Sequence, residues 1–360
     1  GSYCLSRSHF ESITRSMPNL QLHDHLEGSV RPTTILEEAD RLGVERPAQN
    51  EKEMKAKVSM RPGENLLDFL QKFDPFRFIF EDKQSLERIA YEAVEDNHKD
   101  GGKYVELRMN CQKNEDKLSV GEVMDSVLEG MHRGSEEFGV EARFIASINR
   151  SSPPEAAMKI VKAAVARKDR GVVGVDLAGD EINHPPAKFK EVFAYARKHG
   201  LQVTAHAGEA AGPHSIEGAI DELGAERIGH GTRLHEDKRV LNRVRDEDIH
   251  LEMCPHSNHL LSVVPELRGF PIRDYYNYGI STSLNTDDKH IFDVDLVDEY
   301  EAMAFHNDFT LQELQNMNLR ALEHAFLPMV DKENLIHSFK SAYKVVNQEI
   351  RYDFGEKLAG

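Results

Sequence analysis

The sequence predicts an α/β protein built as a (β/α)8 barrel, with a helical insertion after the first strand and a helical C-terminal tail. Three observations carry that prediction. Short β-rich runs alternate with amphipathic segments, the pattern of parallel strands joined by crossover helices. The runs number eight, which is the number that closes a barrel. The length of 360 residues accommodates one such barrel with insertions.

The eight strand candidates are residues 20–26, 103–109, 142–148, 171–178, 201–206, 227–231, 249–254 and 280–285. The segments between them that keep a helical apolar period are 85–99, 120–138, 154–167, 186–199 and 215–223. Two stretches exceed a minimal repeat. Residues 31–81 form a long helical insertion after the first strand. Its tail, 65–80, reads as one helix bearing Leu66, Phe69, Leu70, Phe73, Phe76 and Phe78. So many aromatics fit plain core packing, and their place after strand one also fits an apolar lid over the barrel mouth. Residues 305–360 read as a helical tail packed on the barrel exterior. The whole chain, 1–360, is expected to be one domain, with 1–16 as an N-terminal extension that starts with the expression scar Gly1-Ser2.

Composition narrows the function. There are 62 acidic against 45 basic residues, a formal charge of −17, and the Lys and Arg residues are scattered. Such a surface repels phosphate backbones, so no nucleic-acid partner is expected. No apolar run approaches the ~20 residues that span a bilayer, so no membrane partner is expected either. The three cysteines, Cys4, Cys111 and Cys254, are odd and sparse and lack a C-x-x-C pair. They point to a reducing, cytoplasmic setting, and they leave any metal to histidines and carboxylates.

Barrel active sites lie at the C-terminal strand ends. Seven of the eight ends here are polar. They read His23-Asp24-His25, Glu106-Leu107-Arg108, Asp176-Leu177-Ala178-Gly179-Asp180-Glu181, His206-Ala207-Gly208-Glu209, Gly229-His230-Gly231, Cys254-Pro255-His256-Ser257-Asn258 and Asn285-Thr286-Asp287-Asp288. His23 and His25 stand at i and i+2 on one strand, so both project to the same face. With His206 and Asp287 they make three imidazoles and a carboxylate, a set suited to Zn²⁺ with a further position for water. The glycines around His230 predict that something approaches the backbone closely there. Asp287 and Asp288 fit either a helix N-cap pair or one ligand and one substrate contact. His9, His98, His132, His184, His199, His306, His324 and His337 read as surface or packing residues. His256 and His259 stand nearer the mouth with both readings open.

Taken in order, His23-Asp24-His25-Leu26-Glu27-Gly28, His206-Ala207-Gly208-Glu209, Gly229-His230-Gly231, Cys254-Pro255-His256-Ser257-Asn258 and Asn285-Thr286-Asp287-Asp288 resemble the adenosine deaminase family of the amidohydrolase superfamily. The resemblance runs from about residue 17 to about 340. It implies a single Zn²⁺ held by His23, His25, His206 and Asp287, since the fourth strand ends without the lysine that bridges two metals in other members. It also implies that Glu209 protonates ring N1 of a purine and that His230 orients or deprotonates the attacking water. Asp288 would be the acceptor facing N7, and the Gly179 backbone N–H would donate to N3. Leu66, Phe69, Leu70 and Phe73 would cover a purine nucleoside. The activity implied is deamination of adenosine or deoxyadenosine, with aminodeoxyfutalosine, adenine or an N6-modified AMP as alternatives.

The sequence departs from the commonest family pattern at Glu27, at Met109-Asn110-Cys111, at His256 and at Lys289. Glu27 stands where many members have an Asp contacting the ribose 5′-hydroxyl. It is one methylene longer, and its charge is expected to repel a 5′-phosphate, while Lys289 is expected to reach solvent. A metal-dependent phosphoesterase would need ligands for two or three metals and would leave Asp287-Asp288 and His206-Ala207-Gly208-Glu209 unexplained, and a non-catalytic zinc barrel would need neither Glu209 nor His230. A zinc deaminase of the cytidine type needs a P-C-x-x-C pair, which is absent.

Overall fold

The computed structural model describes residues 6–358; Gly1-Ser2 and Cys4 lie outside the described residues. Eight parallel strands run in chain order around one sheet: β1 (Asn19–His25), β2 (Gly102–Met109), β3 (Glu141–Asn149), β4 (Val172–Ala178), β5 (Gln202–Ala207), β6 (Arg227–His230), β7 (His250–Met253) and β8 (Thr282–Leu284). The sheet closes at the mouth. His25 N–H donates to the Asp287 carbonyl at 2.8 Å, and Asp287 N–H donates back to the His23 carbonyl at 3.2 Å. Closure of β1 on β8 therefore places His23, His25 and Asp287 side by side. Helices cover the outside, including Lys83–Lys99, Val120–Phe138, Pro154–Val165, Lys190–Lys198 and Pro213–Leu223. Their ends are set by sequence. Ser119 and Glu122 form a capping box at the start of Val120–Phe138, and Gly139 ends it in the left-handed conformation.

The barrel interior below the mouth is ionic. Arg108, Arg227, Glu106, Glu252 and Asp176 are all fully buried there. Arg227 pairs with Glu106 and Glu252 at 2.7 Å each, and Arg108 pairs with Glu252 at 2.8 Å and Asp176 at 3.3 Å. Buried charges survive only when paired in this way.

Three expectations change. Residues 65–80 are not one helix. A short helix Leu66–Gln71 ends, and a tight turn of helix Asp74–Glu81 begins with Pro75 near its start. A proline disfavours helical backbone in the residue before it. The apolar residues divide accordingly: Phe76 and Phe80 are core, while Leu66 and Leu70 are 58% and 51% exposed. Residues 186–199 likewise open as a tight turn, Pro186–Phe189, before the helix Lys190–Lys198. The C-terminal segment is helical over Leu311–Glu323 and Met329–Leu358, and between those helices it also plugs the barrel base. Phe326 lies 3.7 Å under the Arg227 guanidinium and donates its backbone N–H to Glu106.

Candidate active site

His23 and His25 come from the end of β1, His206 from β5, His230 from β6 and Asp287 from just beyond β8. The ligand atoms of His23, His25, His206 and Asp287 all lie within 4.8 Å of one another. Each of two rings is fixed from behind. His23 donates Nδ1–H to Glu252 at 2.9 Å, and His206 donates Nδ1–H to Asp176 at 3.0 Å. That fixes both tautomers and leaves both Nε2 lone pairs directed inward. Arg108 ties the two supporting acids together.

The inward atoms crowd against one another. His25 Nε2 and His206 Nε2 face each other at 3.1 Å, and His23 Nε2 lies 3.0 Å from Asp287 Oδ1. Neither His23 Nε2 nor Asp287 Oδ1 makes a hydrogen bond among the described residues, although both are buried. Lone pairs converging in this way suit a cation at their centre. A second grouping, His23, His230, Cys254 and Asp287, is also compact. Burial and the surrounding carboxylates push the Cys254 thiol well above its usual value.

Beside the cluster stand Glu209 and His230, with His230 Nε2 3.3 Å from Glu209 Oε2. The Asn258 amide nitrogen lies 3.1 Å from Glu209 Oε2 and 3.2 Å from His230 Nδ1. Ser257 donates to Asp287 Oδ2 at 2.8 Å. Burial, then Asp287 and Glu181, raise Glu209 well above the usual carboxylate range. Burial also lowers His230 well below its usual value, against the pull of Asp287. The site thus sets a carboxyl held above its usual range beside an imidazole held below its usual value. Asp288 is raised too, by burial and by Asp287.

A cavity of about 360 Å³ runs away from His25. Its lining includes Glu27, Gly179, Asn110, Lys113, Arg77 and Phe80. Gly179 has φ 109°, and a Cβ there would stand 2.9 Å from the Asn149 side chain, which explains the glycine. Gly28 is needed for space: its Cβ would meet Asp288 Oδ1 at 2.0 Å. The close approach predicted around His230 is made by the protein itself, since a Cβ on Gly229 would meet the His23 ring at 2.9 Å. Leu66, Phe69, Leu70 and Phe73 do not line this cavity; Arg77, Phe80 and Glu81 from the same insertion do.

Two charge expectations are corrected. Glu27 is not a free anion. Its Oε2 pairs with Lys113 Nζ at 2.8 Å and accepts the Asn110 N–H at 3.2 Å, while Oε1 is buried without a partner among the described residues. Burial pushes its carboxyl up, but Lys113 and His25 outweigh it and hold it below the usual range. Lys289 does not reach solvent. It is buried and pairs with Asp100 at 2.7 Å, beneath the mouth. His256 pairs with Glu299 at 2.8 Å.

The family model described as "Adenosine deaminase" matches residues 18–342. The chain belongs to the adenosine deaminase family. An adenosine deaminase of Shigella flexneri is 36% identical over 326 residues, covering 90% of this chain and 98% of that protein. Among solved structures, an adenine deaminase of Arthrobacter aurescens superposes with a TM-score of 0.83 at 26% identity, covering 91% of this chain and 99% of that one. The N6-methyl-AMP deaminase of Arabidopsis thaliana gives a TM-score of 0.82 at 27% identity, covering 92% and 98%. Membership of the adenosine deaminase family makes this chain a hydrolytic deaminase of the amidohydrolase fold.

Sequence reasoning did not assign roles to Glu252, Asp176, Asn258, Ser257 or Lys113. The signal for the first two was present, as single acids inside otherwise apolar strands. Lys113 gave no local signal, because its partner lies 86 residues away.

Proposed function

We propose that this chain is a zinc-dependent aminohydrolase of adenosine and deoxyadenosine. Water replaces the 6-amino group, and inosine or deoxyinosine and ammonia leave. The broader activity, deamination of a 6-aminopurine, is that of the family. The observation that supports the finer reading best is a buried Glu209, its carboxyl raised above the usual range, placed 3.3 Å from His230 and beside the His23, His25, His206 and Asp287 cluster.

Zinc held by those four residues would supply the Lewis acidity that makes water a nucleophile at neutral pH. Glu209 gives its proton to N1, which makes C6 electrophilic. His230 holds the water against C6 and accepts one of its protons, which completes the departing ammonia, while the proton left on the C6 hydroxyl returns to the Glu209 carboxylate as the carbonyl forms. N7 of an N9-substituted purine carries only a lone pair, so Asp288 serves it as a proton-bearing donor, not as the acceptor the resemblance implies. The Gly179 N–H serves N3. Glu27 Oε1, free of the Lys113 contact, accepts the sugar 5′-hydroxyl.

Lys113 and Arg77 at the same end favour a second reading, a 5′-nucleotide such as AMP or its N6-methyl form. In the first reading Lys113 is already committed to Glu27. Ammonia release from adenosine, deoxyadenosine, adenine, AMP, N6-methyl-AMP and aminodeoxyfutalosine separates the two, run beside elemental analysis. We expect one zinc per chain, loss of activity with a strong chelator, and adenosine ahead of AMP by at least ~10-fold in kcat/KM, the scale of one charge-assisted hydrogen bond. AMP or N6-methyl-AMP in the lead would move the function to the second reading. No ammonia from any purine would overturn both.

A further inference from the structure

The loop that carries Glu209 has no regular structure of its own, yet Glu209 must hold its carboxyl in place beside His230. What fixes the loop comes from the neighbouring strand end. Beyond β4 the chain turns at Asp180, where Asn183 donates its backbone N–H to Asp180 Oδ1 at 3.1 Å. The turn sends the Glu181 side chain inward, where the residue is only 7% exposed. Its carboxylate then receives four successive backbone N–H groups from the loop after β5. Gly208 donates to Oε2 at 2.7 Å; Glu209, Ala210 and Ala211 donate to Oε1 at 3.2, 2.9 and 3.1 Å.

We propose that Glu181 is a positioning residue for the proton donor: its carboxylate gathers the 208–211 backbone into one rigid turn and thereby sets where Glu209 delivers its proton. The reading rests on the function proposed above.

Four donors on one anion are more than any neutral side chain of similar size can accept. A charged acceptor also makes each bond roughly twice as strong as a neutral one. The loop needs the anchor because Gly208 turns it with φ 69°, a left-handed residue that costs chain entropy. Arg233 clamps the same loop from the other side, donating its N–H to the Gly208 carbonyl and its guanidinium to the Ala210 carbonyl. Buried Arg150 donates to the His184 and His206 carbonyls, at 2.8 and 2.6 Å, and so braces both strand ends. Glu181 is, in addition, one of the charges that keep the proton on Glu209.

The test is a double-mutant cycle on the zinc-loaded enzyme. Glu181→Gln replaces one acceptor oxygen with an NH₂ that meets N–H groups head on. We expect kcat for adenosine to fall ~10- to 100-fold, the scale of a small misplacement of a reacting group, with KM within about threefold and zinc content unchanged. In a Glu209→Gln background the same change should cost less than about twofold, because the group it positions is gone. An undiminished loss in that background would overturn the proposal, as would a Glu181→Gln enzyme with normal kcat. Hydrogen exchange of the unmodified protein gives an answer should Glu181→Gln fail to fold. The Glu209, Ala210 and Ala211 amides should be protected at the level of the strands, and loop-like exchange would sink the proposal. Inactivity of the unmodified enzyme toward every 6-aminopurine would instead count against the proposed function and leave the exchange result standing.

Discussion

A carboxyl group delivers a proton at neutral pH only if something keeps the proton on it. At Glu209 burial does so first, and the charges of Asp287 and Glu181 add to it. An amide in its place has nothing to give. Glu209→Gln should therefore keep zinc and fold while losing at least ~10³-fold in kcat, a general-acid contribution in the usual range. His206→Ala, by contrast, removes one of the proposed ligands, whose other ring nitrogen is already held by Asp176, and it should lose zinc and activity together. Metal content measured beside turnover separates the two roles: zinc lost from Glu209→Gln, or kept in His206→Ala, would show the assignment reversed. The strand ends that carry these residues were legible in the sequence, and strand periodicity set His23 and His25 on one face, whereas the role proposed for Glu209 came only from the family resemblance. Asn258, which contacts both Glu209 and His230, was visible only as a letter in a motif, since its contacts reach back 49 and 28 residues.

At the scale of elements, the eight strands were legible because buried parallel strands are short apolar runs, and their ends fell within two residues of the expected ones. The insertion was less so. Its aromatic spacing suits a helix through residue 80, yet Pro75 and the pull of the core on Phe76 and Phe80 break it. What remains is a short helix, Leu66–Gln71, capped by Asn65 and Asp68 and held by Phe69, which meets Phe73 edge-on and one ring from across the mouth. Phe69 lies flat on Phe292 with centroids 5.5 Å apart and planes 4° from parallel. Phe292 ends the turn that follows Asp288, so this contact joins the insertion to the β8 side of the mouth. Phe69→Ala should raise KM for adenosine by about 10-fold and leave kcat within about threefold, as loss of a covering contact rather than of chemistry. An unchanged KM would show that the exposed leucines cover nothing. The directions of Lys289 and Lys113 were beyond sequence reasoning for a different reason: each is decided by a single distant carboxylate, Asp100 or Glu27.

Over the whole molecule, the barrel is closed at the mouth by backbone pairing and at the base by residues 324–328. The base contributes an acid sensitivity. His324 packs on His250, ring centroids 5.1 Å apart, and burial lowers it from 6.5 to about 4 against the pull of Asp248. Burial lowers His250 as well, where it is held between Ser281 and Ser283. A histidine with a depressed folded value binds its proton more readily when unfolded. Its stability contribution is complete above about pH 6.5 and is lost as the pH falls toward 4. Unfolding free energy should drop about 1–2 kcal/mol more between pH 6.5 and 5 in the unmodified protein than in His324→Phe, from a limiting slope of about 1.4 kcal/mol per pH unit. Parallel urea titrations at the two pH values check this, and equal drops would clear His324 of the effect. No helix among the described residues is long and apolar enough to cross a membrane. The mouth carries a different burden. His230 at φ 70° and Asp287 at φ 65° both hold a left-handed backbone that side-chain-bearing residues avoid at a cost of roughly 1–2 kcal/mol each. A laboratory lineage selected for heat resistance alone would therefore drift toward glycine or asparagine at the two positions where the chemistry sits, and become hardier as it forgot its reaction.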